Sequence, residues 1–141
     1  MPNTASHLAV AGRNGELIQH LTATKDRHSE WLAVVAFYKA LHLVDAMLFC
    51  DHPCKHGGDH TERARVLKAT RKYQNIYRNF RPLSAASCVA RYLATDGREY
   101  SAFASYLSPD QVVAVLINHH LKQVEDSVAK ILESRGVNTT P

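Results

Sequence analysis

Residues 31–50 form an apolar run that covers most of the circumference of a helix. Lys39, His42 and Asp45 interrupt the run, and their three-residue spacing places them in one narrow polar stripe. A helix with so little polar surface belongs in the centre of a bundle, where other helices cover it. The same three residues argue against a membrane span, which requires about 20 nearly uncharged residues. The run therefore predicts a buried core helix that starts near the capping residue Ser29.

Other helices are predicted on both sides of this core helix. Asn14 is a suitable N-cap for a short helix before it, and residues 1–12 are predicted to form a flexible segment. After the core helix, Asp59 or Thr61 can cap a long basic helix that runs to about Phe80. Pro82 then ends or kinks this basic helix, and another short helix follows.

The last helix has the clearest start signal in the sequence. A serine cap, a proline in the first turn and a glutamine at the capping-box position begin it, and a glycine follows its end (Ser108, Pro109, Gln111 and Gly136). Its apolar face is predicted to carry Val113, Leu116, Ile117, His120, Val124, Val128, Ile131 and Leu132. No strand is predicted, and "TDGRE" is interpreted as a turn. The prediction is an all-α, four- or five-helix up-and-down bundle over residues 13–136, with residues 137–141 as a tail.

Composition places the chain among soluble globular proteins. Its 141 residues suffice for one domain with a sizeable core, and its apolar and charged fractions, 45% and 21%, are ordinary for that class. The first fifteen residues lack the basic start and apolar run of a signal peptide. With three cysteines in such a chain, the expectation is reduced thiols in the cytoplasm.

The positive charge is concentrated in one segment. Residues 63–81 contain seven basic residues and no acidic residue, although the whole chain has a formal charge of only +4. Such a cationic helix face predicts a surface that follows the phosphates of RNA or DNA. The alternative is a solvated face that acids elsewhere, such as Glu125 and Asp126, partly neutralise. The basic residues are Arg63, Arg65, Lys68, Arg71, Lys72, Arg78 and Arg81.

A loop rich in metal-ligand side chains follows the core helix. It carries Cys50, His52, Cys54, His56 and His60, the first four at every second position. Structural zinc sites instead pair their ligands as C-x₂₋₄-C and H-x₃₋₅-H, and no second pair lies nearby in the sequence. The spacing therefore favours a site without metal, and zinc binding stays as an alternative.

His60 and Arg63 form a different kind of candidate site. Because they are three residues apart at the start of a helix, they project from the same face. The free N–H groups and the dipole at a helix N-terminus attract anions, so this pair could hold a phosphate, and His60 could transfer a proton in RNA cleavage. The alternative is a helix-cap hydrogen bond without a ligand.

The ordered series of short motifs "WLAVVAFYKALHLVDAMLF", "HTERARVL" and "SAASCVARYL" resembles the small stand-alone bacterial proteins of the HEPN superfamily. The resemblance spans roughly residues 14–93, and the last helix is compatible in place and length. It implies a bundle of four or five helices, often a homodimer, with no cofactor. Many members are RNA-cleaving toxins or defence ribonucleases, and others bind nucleotides or partner proteins. The matching positions include Trp31, Phe37, Tyr38, His42, Asp45, His60, Arg63, Ser87, Arg91 and Tyr92.

The chain departs from the catalytic pattern of that superfamily. Active members carry Arg-x₄₋₆-His late in the fold, and two copies meet in a dimer to form a metal-independent ribonuclease site. No such motif follows Arg63, since His119 lies 21 residues after Arg98. The literal match from Arg13 to His20 overlaps the first predicted helix cap and is interpreted as a coincidence of frequent residues.

The leading hypothesis is therefore an RNA-associated homodimer of a bacterial toxin, stress or defence system. If it cleaves RNA, His60 and Arg63 act on the reaction in which the ribose 2′-OH attacks its adjacent phosphate. Arg91 and Tyr92 orient the phosphate, and His42 lies on the polar stripe of the core helix. The alternative is a non-catalytic module that binds a nucleotide or a partner, such as an antitoxin or effector encoded beside it.

Overall fold

The computed structural model describes residues 2–53 and 59–139. These residues form five helices and one hairpin of two-residue strands, so the all-α prediction is confirmed. α1 packs along α2, and α2 also packs against α4 and α5. The elements are α1 (Thr4–Ala23), α2 (Lys25–Asp51), α3 (His60–Ala69), a 3₁₀ turn (Arg71–Tyr73), α4 (Gln74–Tyr92), β1 (Ala94–Thr95), β2 (Arg98–Glu99), a second 3₁₀ turn (Phe103–Ser105) and α5 (residues 109–134).

The first helix is capped by Asn3, eleven residues before the cap predicted at Asn14, and that prediction is wrong. Asn3 caps α1 by accepting the Ser6 N–H at 2.9 Å, so residues 4–12 are helical rather than a flexible segment. Gly12 and the hydroxyl residues Thr4 and Ser6 weakened the helix signal of this stretch. Packing against α2 overrides that weak propensity, because Ala11 is 2% exposed and belongs to the core.

The second helix is the central helix that the apolar run predicts. His28 has non-helical backbone angles, so the regular part of α2 starts at Ser29 as expected. Among the described residues α2 alone is long and apolar enough to cross a membrane, and 67% of its most apolar stretch is buried, as in a core helix of a soluble protein. Trp31 is 57% exposed, so the other helices do not fully cover the start of α2.

The predicted long basic helix is divided, and the predicted break at Pro82 is wrong. Thr70 leaves the helical region with φ −100° and ψ 116°, and Pro82 lies inside α4. The break redirects the chain so that the buried Tyr73 donates a 2.6 Å hydrogen bond to Asp51 at the end of α2. Pro82 is tolerated because the carbonyl that it leaves unbonded belongs to Arg78, on the solvent side of α4.

The predicted turn at residues 95–99 is confirmed, with two short strands that the sequence analysis did not predict. Ala94 pairs with Glu99 and Thr95 with Arg98 in an antiparallel ladder. Asp96 and Gly97 both have positive φ, 50° and 77°, as the tightest hairpin turns require. The hairpin lies against the C-terminal part of α4.

Both predicted ends of α5 are confirmed. The Ser108 hydroxyl accepts the Gln111 N–H at 3.2 Å, and the Gln111 side chain accepts the Ser108 N–H at 2.8 Å. At the other end Gly136 has φ 77°, and the N–H groups of Gly136 and Val137 donate to Glu133 and Leu132. These bonds form the expected capping box, and they form a Schellman motif around the glycine that was expected to follow the helix.

The middle of α5 is wound differently from the prediction. Val112–Leu121 is π-helical, between α-helical segments Pro109–Gln111 and Lys122–Ser134. The wider winding moves the buried face, so Val112 and Leu121 enter the core while Val113 and Ile117 are only half-buried. His120 is also half-buried, and its Nδ1 donates to the Asn79 side-chain oxygen at 2.9 Å.

Candidate functional site

The predicted site residues lie in two separate places. His42, His60 and Arg63 lie around Asp45, where α3 meets α2. Arg91 and Tyr92 lie at the C-terminal end of α4. Phe80 is the residue of α4 that packs on Phe37 beside His60, and Arg91 lies about 16 Å farther along the helix axis. The five side chains therefore do not form a single pocket in one subunit.

A buried ion pair holds the first group together. Arg63 donates from Nε and Nη2 to the two carboxylate oxygens of Asp45, at 2.8 and 3.0 Å. Both residues are less than a tenth exposed. This two-point geometry satisfies both charges and ties α3 to α2. The interaction gives Arg63 a structural role, and the guanidinium offers little surface to a phosphate.

His60 lies on the outer side of this ion pair. Asp59 caps α3 by accepting the Glu62 N–H at 2.8 Å, which confirms one of the two predicted caps. The His60 ring is exposed, with its Nδ1 3.4 Å from Arg63 Nη1 and its ring centroid 6.0 Å from that of Phe37. The expectation that His60 and Arg63 share a face is therefore confirmed.

A pair of histidines adjoins this group, and the sequence analysis missed it. His7 Nδ1 of α1 lies 3.1 Å from His42 Nδ1 of α2, so one ring donates its proton and the other accepts it. His7 lies in the segment predicted to be flexible, so the sequence indicated no partner for His42 there. The five residues His7, His42, Asp45, His60 and Arg63 are called the α2 polar cluster below.

Burial and nearby positive charge disfavour the protonated form of His42. Burial lowers the pKa of His42 below its usual value, and the neighbouring His7, Arg63 and Arg13 lower it further against the opposing effect of Asp45. A neutral imidazole near pH 7 can accept a proton. His7 offers a second imidazole at hydrogen-bond distance, so this pair has the chemistry of an acid–base couple.

Three of the seven basic residues of segment 63–81 have carboxylate partners. Arg63 pairs with Asp45, Arg65 with Glu62, and Lys72 with Asp51. The neutralising acids lie on α2 and at the start of α3, whereas Glu125 and Asp126 pair with Lys39 and Lys122. The paired cations are thus partly neutralised from within the chain.

The other four cations are exposed. Lys68, Arg71, Arg78 and Arg81 make no ion pair with any carboxylate in the part of the chain that the structure describes. Gln74 donates to the Lys68 carbonyl at 2.7 Å, so the end of α3 lies against the start of α4. This arrangement leaves a positively charged surface from the end of α3 to the middle of α4.

One solvent-facing stripe of α4 continues that surface. Three- and four-residue spacing aligns its members, which are half-buried or exposed. A first cleft of about 460 Å³ lies beside the stripe, lined by Gln74, Tyr77, Arg78, Arg81, Pro82, Ala85 and Asp96. The cleft therefore combines two guanidinium groups with an aromatic ring. The stripe, called the exposed α4 stripe below, consists of Gln74, Arg78, Arg81, Ala85, Cys88 and Tyr92.

A second cleft follows at the C-terminal end of the stripe. It has a volume of about 550 Å³ and lies between Tyr92, Cys88 and the hairpin. Tyr92 is 66% exposed, and the Arg91 guanidinium lies over its ring, 5.0 Å from the centroid. Asp96 lines both clefts. Arg91 and Tyr92 thus belong with the basic surface rather than with the α2 polar cluster.

Asp51 occupies the position where the ligand-rich loop begins. Its side chain is 2% exposed and accepts from Tyr73 Oη, Lys72 Nζ and Arg135 Nε at 2.6 to 2.7 Å. Burial would raise the pKa of Asp51, but these hydrogen bonds lower it to about 2. Asp51 therefore joins α2, the 3₁₀ turn and the end of α5. Asp51 itself was not predicted as a structural residue.

The structure describes only part of the ligand-rich loop. Cys50 ends α2 half-buried, with its thiol donating to the Met47 carbonyl at 3.5 Å. Cys54 and His56 lie outside the described residues. Within residues 2–53 and 59–139, no three metal-ligating side chains come together.

Comparison with known proteins leaves the resemblance to the HEPN superfamily as a prediction. No family model, no curated protein and no solved structure matches this chain.

Proposed function

We propose that this protein is an RNA-associated helical module that binds single-stranded RNA along the exposed α4 stripe. The observation that carries the proposal is that four cations of segment 63–81 are exposed and have no carboxylate partner among the described residues. Arg63, Arg65 and Lys72 have carboxylate partners, whereas Lys68, Arg71, Arg78 and Arg81 face solvent without an ion pair to any described carboxylate. Unpaired cations on one surface attract a polyanion and release its counterions on binding.

The aromatic side chains favour a single strand over a duplex. Tyr77 lines the first cleft and Tyr92 the second, with Arg91 stacked on the Tyr92 ring. Proteins bind single strands by combining a cationic groove with aromatic rings on which unpaired bases stack. From Gln74 to Tyr92 the stripe is about 27 Å long, which provides room for several nucleotides. The resemblance to HEPN proteins favours RNA over DNA.

A binding measurement with a charge-matched control tests this proposal. Fluorescence anisotropy of a labelled 12-nucleotide RNA should show affinity that falls steeply with salt. Arg78→Ala combined with Arg81→Ala should flatten the log–log salt slope by about 1.4, since each single-strand phosphate contact contributes about 0.7. The control, Arg27→Ala with Lys130→Ala, removes the same charge from exposed positions elsewhere and should leave the slope nearly unchanged. Equal effects of the two double variants would refute a localised site.

Metal-independent RNA cleavage is a second candidate function, and the contact between His7 and His42 favours it. In this reaction the 2′-oxygen attacks the adjacent phosphorus, a base takes the 2′-OH proton, and the 5′-oxygen leaves with a proton. The products are a 2′,3′-cyclic phosphate and a 5′-hydroxyl end. A neutral His42 suits the role of base, and the exposed His60 suits transfer to the leaving oxygen.

An RNase assay in the presence of EDTA tests this second candidate. His42→Asn and His60→Ala should each abolish cleavage while far-UV circular dichroism stays unchanged. Arg63→Ala is a poor probe on its own, because it opens a buried ion pair. Cleavage that survives both histidine substitutions would remove these residues from the reaction.

The non-catalytic alternative rests on the lack of the Arg-x₄₋₆-His motif at the expected place. A module of this kind would bind a partner, such as an antitoxin or effector encoded beside it, and would show no nuclease activity. The predicted homodimer belongs to both proposals. Light scattering after size-exclusion chromatography measures it, and a mass of one chain at micromolar concentration would contradict it.

A further inference from the structure

Asp96 is the one carboxylate among the residues that line the first cleft. It lines the cleft together with two arginines, yet within the described ranges its carboxylate makes no ion pair with either of them. The Asp96-Gly97 pair suits a hairpin turn, which accounts for the residue type but not for its place in a cationic cleft. An acid there weakens phosphate binding unless it also contacts the ligand.

The hairpin fixes the position of this carboxylate. Two ladder pairs, Ala94 with Glu99 and Thr95 with Arg98, hold the turn beside α4. Asp96 lies at the junction of the two clefts, so a strand that follows the stripe must pass it. Tyr77 and Pro82 supply flat apolar surface in the same cleft, against which a base can lie.

We infer that Asp96 reads a guanine base in the bound strand, and this inference rests on the proposed RNA binding. A carboxylate presents two acceptor oxygens side by side and can receive two parallel hydrogen bonds. Guanine alone among the four bases offers two adjacent donors, N1–H and the N2 amino group, on its Watson–Crick edge. Adenine, cytosine and uracil each place an acceptor beside a donor, which repels the second oxygen. Single-stranded RNA leaves this edge free for recognition.

The division of roles in the first cleft follows from this chemistry. Arg78 and Arg81 contact phosphates and bind any sequence. Tyr77 stacks on the base and is also indifferent to its identity. Asp96 supplies the base-specific contact, and it excludes other bases because their acceptors would face a carboxylate. The acid therefore lowers affinity in general while it raises affinity for one base.

Four labelled RNAs that differ at one central position test the inference. Each is a run of adenosines with A, C, G or U in the middle, so that no quadruplex forms. The native protein should bind the G-containing strand roughly tenfold more tightly than the others. Asp96→Asn keeps a residue that tolerates positive φ, removes the charge, and should abolish the preference while raising affinity for the A, C and U strands. The control Glu133→Gln removes one exposed negative charge from α5 and should keep the preference.

The possible outcomes separate the inference from the proposed function. Salt-dependent binding of all four strands with equal affinity would overturn the reading of guanine and leave the RNA-binding proposal standing. An Asp96→Asn variant that keeps the preference for guanine, with all affinities raised by the same factor, would assign the acid a purely electrostatic role. If no strand binds, both proposals fail together.

Discussion

Replacing Arg63 by alanine should show whether this residue serves the fold or a ligand. The substitution removes both donors of the Asp45 carboxylate and leaves that group buried. Breaking a buried ion pair by removing one partner costs about 3–5 kcal/mol, since the remaining charge is uncompensated. We therefore expect Arg63→Ala to lower the free energy of unfolding by about that amount.

The surroundings of the ion pair favour the upper part of this range. α3 has only ten residues, too few for a stable isolated helix, and Val66 and Leu67 are its buried apolar contacts. Loss of the ion pair therefore weakens the docking of the whole helix on α2. The double variant Asp45→Leu with Arg63→Met should regain most of the loss, because apolar replacement of a buried ion pair is often neutral or stabilising.

Urea unfolding followed by circular dichroism at 222 nm measures these differences. Arg65→Ala is the matched control, since Arg65 makes an exposed ion pair with Glu62 and should lose less than about 1 kcal/mol. An Arg63→Ala variant as stable as Arg65→Ala would refute the structural role of the ion pair. Any RNase activity that the stable double variant retains would show that Arg63 is not needed for chemistry.

Three further predictions concern Asp51, the histidine pair and the start of α5. Asp51→Asn should lower the free energy of unfolding by about 1–2 kcal/mol at neutral pH, because three hydrogen bonds depress the pKa of Asp51 to about 2. Its contribution is complete above the unfolded value of 3.8 and disappears as the pH falls through 2, so urea titrations of the two proteins should converge there. The pKa of His42 is lowered on folding, so the free energy of unfolding should fall as the pH drops below 6.5. His42→Asn should reduce this fall. Equal pH dependence of the two proteins would contradict the lowered pKa of His42. Ser108→Ala should cost about 1 kcal/mol in thermal unfolding, and a loss of only a few tenths would mean that the capping box does not hold the first turn.

The sequence predicted those parts of the fold that depend on residues close together along the chain. The apolar run identified α2 as the central helix, and the Ser108 to Gln111 spacing identified the start of α5. The Asp96-Gly97 turn and the cap at Gly136 followed from residues that adopt positive φ. Each of these features is determined within a few positions along the chain.

Tertiary contacts decided the parts of the fold that the sequence did not predict. α1 starts at Thr4 and packs on α2 along a stretch that was predicted to be flexible. The chain turns at Thr70 because Tyr73 reaches Asp51, while Pro82 is accepted on a solvent-facing side of α4. The π-helical winding of α5 likewise has no signal in its apolar spacing.

In the candidate site, too, the sequence predicted the local features but not the tertiary contacts. The spacing of three correctly placed His60 beside Arg63, and the cluster of cations correctly indicated an exposed basic surface. The pairing of Arg63 with Asp45 joins positions 18 residues apart, and that of His7 with His42 joins positions 35 apart. No one-dimensional pattern specifies such contacts, so the separation of Arg91 and Tyr92 from His60 emerged only from the packing of the helices.

The bond from Arg135 to Asp51 has a consequence for how the chain is made. The two residues are 84 positions apart, and Tyr73 and Lys72 reach the same carboxylate much earlier in synthesis. During translation Asp51 can therefore meet its first two partners while α5 is still inside the ribosome. The final donor arrives only after residue 135 has left the exit tunnel, so a nascent chain paused before that point holds an incompletely compensated carboxylate at the end of its central helix.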